Sequence, residues 1–190
     1  MLFINRFRFL HNSHRRKAKQ HFAIYFHVPK DVYPAGRLDY DSEGLLILTN
    51  DAALNHRLLD PKYKHEREYW VQVEGTITKE AIDNLQKGVV ISIDGKQYKT
   101  LPCKSSLFKE PPNVYERNPA IRFRKNIPDS WITLTLVEGK NRQVRRMTAK
   151  VGFPVLRLIR YRIEKLTLQN MQPGDIKEFT REEIYKSLFI

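Results

Sequence analysis

The stretch Gly36–Asp51, GRLDYDSEGLLILTND, sets the frame for the whole chain. It opens with a charged turn that carries Arg37, Asp39, Asp41 and Glu43. It then runs straight into Gly44–Thr49 (GLLILT), a short apolar run of the kind a buried strand presents. Asn50 and Asp51 offer an N-cap for a helix over Ala52–Leu59, which stops before Pro61. Downstream, Glu68–Glu74 (EYWVQVE) alternates aromatic or β-branched residues with polar ones, a strand ended by Gly75. Thr78 caps a second helix that reaches Lys87, with Gly88 past its end. Val89–Ile93 and Gln97–Leu101 flank Asp94-Gly95, a hairpin signal.

Further on, Trp131–Val137 (WITLTLV) is the clearest alternating strand, followed by a helix over Asn141–Val151 that Gly152 and Pro154 end. Val155–Ile163 is strand-like again, and Thr180 with Glu183 makes a capping box for a last helix. Strand runs interleaved with a few short helices predict an α+β fold with a mixed or antiparallel sheet and flanking helices. Between them, Lys109–Asp129 holds four prolines and an acid-free basic stretch, Arg117–Lys125, that includes Arg122 and Arg124. A loop of that length is expected to be functional or disordered.

Composition narrows the function classes. In 190 residues there are 34 Lys or Arg against 21 Asp or Glu, a formal net charge of +13. Residues 1–30 carry seven of the basic residues and no acid, and Lys140–Arg162 carries eight with no acid, Glu138 standing just before it. Such an excess points to a polyanion, with RNA or DNA the commonest, and the bland alternative is solvated surface. No apolar run approaches the roughly 20 residues that span a bilayer, so no membrane partner is expected. A single cysteine, Cys103, excludes an intramolecular disulfide framework and a thiolate zinc site and is expected to be buried; a cytoplasmic location is the default. Residues 1–30 do not resemble the rest: Arg-containing and acid-free, as transit peptides are, they are expected to form a poorly ordered arm or one weak strand. The length suits one compact domain, or one core divided by a cleft.

Two constellations carry chemistry. In the first, Asp39, Asp41 and Glu43 share a turn before a buried strand. Local turn bonding, catalysis and a magnesium site all remain open for them, although Arg37 and the basic chain argue against carboxylates waiting for metal. In the second, EGKNRQVRRM (Glu138–Met147), Val144, Met147 and Val151 form a buried helical stripe. Arg142, Arg146 and Lys150 lie opposite it, and Arg145 sits at the border. Cations in the first turns of a helix oppose its dipole by roughly 0.3–1 kcal/mol each, so an anion is expected there, a phosphate or a buried carboxylate. Tyr69 and Trp70 read either as core packing or as a base-stacking platform. His56 and His65 are isolated and suggest neither a metal pair nor a catalytic dyad.

Taken together, GRLDYDSEGLLILTND, EYWVQVEG and EGKNRQVRRM followed by VGFPVLRLIRYRI resemble, in order and spacing, the type-A family of small-subunit ribosomal pseudouridine synthases. PPNVYERNPAIRFRKNIPDSW resembles the subgroup acting on large-subunit ribosomal RNA, that of pseudouridine synthase E, which lacks an S4 domain. The resemblance covers Val32 to the C-terminus. It implies a catalytic domain over residues 31–190, built as an eight-stranded mixed sheet split by a central cleft. The implied reaction detaches uracil from C1′, turns it and rejoins it through C5, with no cofactor and no metal.

By the same resemblance, Asp39 is the catalytic aspartate, Tyr69 the tyrosine against the target base, and Arg145 the basic residue paired with Asp39. Arg37, Lys140, Asn141, Arg142, Gln143, Arg146, Arg122 and Arg124 are the expected RNA contacts. The expected partner is large-subunit ribosomal RNA or its assembly intermediates, and the expected state a monomer. One departure stands out. The family's core begins with a strand carrying a Lys-Pro motif well upstream of the GRLD turn, whereas here Val28-Pro29-Lys30 reverses the order and lies close by. Residues 1–30 then read as a disordered segment or a truncated core. A chain without that strand exposes a sheet edge, and the competing expectation is a catalytically impaired remnant that still binds RNA.

Overall fold

The computed structural model describes the backbone of residues 2–6 and all of residues 29–116 and 127–190. In chain order the elements are β1 (Leu2–Arg6), β2 (Tyr33–Pro34), β3 (Glu43–Thr49), α1 (Ala52–Leu59), a 3-10 turn (Pro61–Tyr63), β4 (Arg67–Glu74), α2 (Lys79–Lys87), β5 (Val90–Ile93), β6 (Lys96–Lys99), β7 (Lys104–Leu107), β8 (Asp129–Leu136), α3 (Gln143–Lys150), β9 (Val155–Ile163), β10 (Leu166–Thr167), β11 (Ile176–Glu178) and α4 (Arg181–Phe189). The fold is α+β. One sheet runs β11-β1-β3-β9-β4-β8-β7, with β2 added to β3 and β10 to β9, nine strands among the described residues where eight were expected. Two of the nine, β2 and β10, are two-residue strands that no sequence period can reveal. The sheet is mixed because β3 runs parallel to β9 (Glu43↔Ile159) while β4 pairs antiparallel with both β8 and β9.

Alternation along the strands feeds two cores. From β4, Val71 and Val73 join Ile132, Leu134 and Leu136 of β8 under α2 (Ala81, Leu85) and α3 (Val144, Met147). From the opposite face, Trp131 and Ile159 pack with Leu45 and Ile47 of β3, Leu54 and Leu58 of α1, and Ile184 and Leu188 of α4. Trp70 belongs to this second face, stacked on Tyr161 at 3.7 Å and 13°, which makes it core packing rather than a platform for bases. The three anticipated caps form: Asp51 accepts from Leu54 N, Thr78 from Ala81 N, and Thr180 with Glu183 closes the capping box. In the hairpin, Asp94 and Gly95 both take positive φ (49° and 79°), as a type I′ turn requires.

The expected exposed sheet edge does not fall at β3. β1 pairs antiparallel with β3 from Leu2↔Leu48 to Arg6↔Gly44, and with β11 on its other side. α3 is shorter than its sequence pattern suggests. It starts at Gln143 because Arg142 takes a left-handed conformation (φ 51°, ψ 33°). Cys103 is half-buried; burial foremost, and then the Glu138 charge, push its thiol up to about 11.

Candidate active site

The turn after Gly36 is closed by Ser42 N donating to Asp39 O at 3.0 Å, so Tyr40 and Asp41 form its tip. Its base is rigid because β3 and β9 meet there at backbone distance. Gly44 has φ 107°, and a Cβ on it would stand 2.4 Å from Arg160 O. Beside it the Glu43 carboxylate, 1% exposed, holds the guanidinium of Arg157, 6% exposed, with Nη2 2.8 Å from Oε2 and Nε 3.2 Å from both oxygens. Arg157 Nη2 also donates to Tyr115 O at 3.0 Å, which ties the start of the proline-rich loop to the same pair. Burial first, and then the Glu43 charge, push the Tyr115 hydroxyl well above its ordinary range.

Facing this turn is the segment from Glu138 to Arg146. Glu138 is buried and accepts from Leu101 N at 2.8 Å, from Gln143 Nε2 at 2.6 Å and from the Tyr98 hydroxyl. That hydrogen bond, with burial and the Glu138 charge adding to it, pushes the Tyr98 phenol up to about 12. Gln143 Oε1 in turn accepts from Lys140 N at 2.9 Å, so the loop is laced to its own helix. The left-handed Arg142 sends its guanidinium across to Asp41, Nη1 to Oδ1 at 2.9 Å and Nη2 to Oδ2 at 2.8 Å. Arg145 Nη2 donates to Asp41 O at 2.7 Å, and its Nε lies 3.3 Å from Asp41 Oδ2. Burial alone raises the Asp41 carboxyl, but the hydrogen bonds and charges of Arg142 and Arg145 outweigh it and hold the group below its ordinary value.

Between turn and loop lies a cleft of about 440 Å³ whose lining includes Arg37, Asp39, Tyr69, Lys140, Arg142 and Arg160. Tyr69 stands opposite Arg160 in the β4–β9 register. Asp39 is half-exposed to the cleft, with Arg142 Nη1 3.9 Å from its Oδ2. A carboxylate, an aromatic face and a cationic rim suit a flat ring carried on a polyanion. The three carboxylates of the turn do not converge on a metal-sized point. Asp41 is taken by Arg142 and Arg145, and Glu43 by Arg157.

Several expected site residues do other work. Among the described residues, the carboxylate that Arg145 meets is Asp41 rather than Asp39; the cation beside Asp39 is Arg142, because the left-handed turn swings it over the cleft. Gln143, an expected RNA contact, is 4% exposed, and both ends of its amide are used internally. Arg146 is half-buried and donates to Asn141 O, Asn141 Oδ1 and Ser92 O, which pins the β5–β6 hairpin to α3. Lys140 and Asn141 are exposed at the rim. Arg122 and Arg124 lie outside the described residues. The sequence reading missed Asp41 as a clamp, the Glu43–Arg157 pair and the Glu138 hub. The lone acid ahead of a basic run was the one visible signal for the last of these.

In comparison with known proteins, a family model described as RNA pseudouridylate synthase matches residues 10–150. The ribosomal large subunit pseudouridine synthase E of Vibrio parahaemolyticus is 52% identical over 149 residues, covering 78% of this chain and 60% of that protein. The protein of the same name from Xanthomonas axonopodis is 49% identical over 148 residues, covering 78% of this chain and 76% of the relative. The chain thus spans about three fifths of the length of the Vibrio relative. Among solved structures, one titled "Crystal structure of pseudouridylate synthase" superposes with a TM-score of 0.75 over 98% of this chain and 73% of that one, at 23% identity, a likeness of fold.

Proposed function

This chain belongs to the RNA pseudouridylate synthase family, and from that premise we propose that it converts a uridine of large-subunit ribosomal RNA to pseudouridine. The observation that carries the reading is Asp39, in a rigid turn, lining one cleft with Tyr69 and the cationic rim of Arg37, Lys140 and Arg142. The reaction breaks the N1–C1′ bond and forms a C5–C1′ bond. The C5 hydrogen leaves as a proton and N1 gains one, so atoms balance without oxidant, donor or cofactor.

Asp39 acts at the sugar, with the Arg142 guanidinium 3.9 Å from its Oδ2. Tyr69 packs on the base after it has been flipped from the RNA, at a cost of a few kcal/mol. The rim cations offset that cost at the phosphates. The enclosing cleft keeps the detached uracil near C1′ until it is rejoined. Arg145 contributes by fixing Asp41, and through it Arg142, rather than by touching Asp39. The working unit is the chain with β1 in its sheet, between β3 and β11, rather than residues 31–190 alone, acting as a monomer in the cytoplasm on ribosomal RNA or an assembling particle.

The test is tritium release from C5-tritiated uridine in a large-subunit ribosomal RNA transcript. Release by the 190-residue chain that vanishes in Asp39→Asn, with RNA binding intact, is the expected result. Undiminished release by Asp39→Asn removes the mechanism. A folded wild-type chain that binds RNA but releases nothing, from transcript or from assembling particles, leaves the non-catalytic binder.

A further inference from the structure

The connection between α1 and β4 lines the same cleft as Asp39, through Pro61, Lys64 and His65. Asp60 caps its single 3-10 turn by accepting from Lys62 N at 3.0 Å. The turn ends at Lys64, which adopts a left-handed conformation (φ 51°) uncommon for lysine. That conformation presents an exposed ammonium-bearing residue to the cleft.

Next to it, Tyr63 is 42% exposed and belongs to neither core cluster. Its ring stacks on His65 (5.8 Å between centroids, 25° between planes). His65 is itself fixed, with Nδ1 2.9 Å from Glu164 Oε1 and Phe189 5.2 Å away on its other flank. Two cations attend the tyrosine: Lys62 Nζ lies 4.8 Å and Arg57 Cζ 5.7 Å from its ring centre. A rigid exposed aromatic with lysines on either side in sequence is what an unpaired nucleotide requires, a plate for the base and cations for its phosphates. Lys62 Nζ, on a side chain 61% exposed, is paired with Asp60 Oδ2 at 3.0 Å, so a base arriving on Tyr63 displaces a solvent-screened ammonium, which a phosphate then shares with Asp60.

We propose that the Pro61–His65 turn is a second RNA subsite, holding an unpaired nucleotide beside the target uridine, with the base on Tyr63 and the backbone on Lys62 and Lys64. It rests on the RNA reading of the Asp39 cleft and adds to it a place for the neighbour of the reacting nucleotide.

The probe is a labelled oligouridylate, titrated with the full chain at several salt concentrations. Tyr63→Ala is expected to weaken binding about 5-fold or more, by loss of one stacked base, while Tyr63→Phe keeps wild-type affinity. Lys64→Ala is expected to reduce the slope of log K against log salt by about 0.7, one phosphate contact on a single strand. Lys186→Ala, on the exposed side of α4, is the control and changes neither. All variants are first shown to keep the wild-type unfolding midpoint. Affinity within about 2-fold for Tyr63→Ala together with an unchanged slope for Lys64→Ala overturns the subsite, as does a wild-type chain that binds no oligouridylate.

Tritium release separates this from the parent reading. Release with an unchanged KM in Tyr63→Ala removes the subsite and leaves the isomerase. No release from a chain whose oligouridylate binding depends on Tyr63 removes the isomerase and leaves the subsite.

Discussion

Replacing Glu43 by Gln tests how the turn that carries Asp39 is anchored. The carboxylate and the guanidinium of Arg157 are 1% and 6% exposed, so the charge left on Arg157 has almost no water to turn to. An exposed pair of the same geometry is worth about 0–1 kcal/mol. Removing one partner of a buried pair costs about 3–5 kcal/mol, because the surviving charge is uncompensated. The glutamine amide keeps one acceptor for the three contacts that the carboxylate makes with Nε and Nη2, which softens the loss without abolishing it.

For a chain of this size each kcal/mol moves the thermal midpoint by roughly 2–4 °C, so Glu43→Gln is expected to lower Tm by roughly 6–20 °C. Urea unfolding gives the free energy directly. The double variant Glu43→Gln/Arg157→Met removes the stranded charge. It is expected to recover most of the loss, less about 1 kcal/mol for the hydrogen bond to Tyr115 O. A single-variant loss below about 1 kcal/mol, or a double variant no more stable than the single, would refute the buried-charge account.

Gly44→Ala is expected to cost about 2–6 kcal/mol, combining left-handed strain with a Cβ driven into the Arg160 backbone, measured by the same urea titration. Asp41→Asn bears on pH. The Asp41 carboxyl ionises below its ordinary value in the folded chain, so its contribution is fully present above the unfolded value of 3.8 and is lost as pH falls through the lower folded value. The acid limb of the stability curve is therefore expected to be shallower in Asp41→Asn than in wild type, with the two curves converging at the acid end. Its turnover at neutral pH is expected to fall through kcat more than KM, since Arg142 loses the partner that keeps it beside Asp39.

Much of the site was legible because its chemistry is local in sequence. Asp39 and Arg37 sit within four residues at the mouth of an unmistakable buried run. Tyr69 stands in a strand whose alternation is plain, and the Glu138–Met147 segment advertises its cations. Patterns of period two or near four assign such residues to a strand face or a helix face without any partner being known. The short strands β2, β7, β10 and β11 carry too few residues to show a period, and they exist because neighbours in the sheet supply their hydrogen bonds.

From the sequence alone came the α+β class, the caps of α1, α2 and α4, the Asp94-Gly95 hairpin, the basic character and the motifs that line the cleft. Only the tertiary structure decided which charge meets which. Asp41, not Asp39, receives Arg145, Gln143 turns inward to Glu138, and Glu43 finds Arg157 across 114 positions. Hydrophobic periodicity tells a side chain which face to take. The partner of a charge depends on the register between distant strands and on one arginine held left-handed at a helix start, and neither is written in any local pattern.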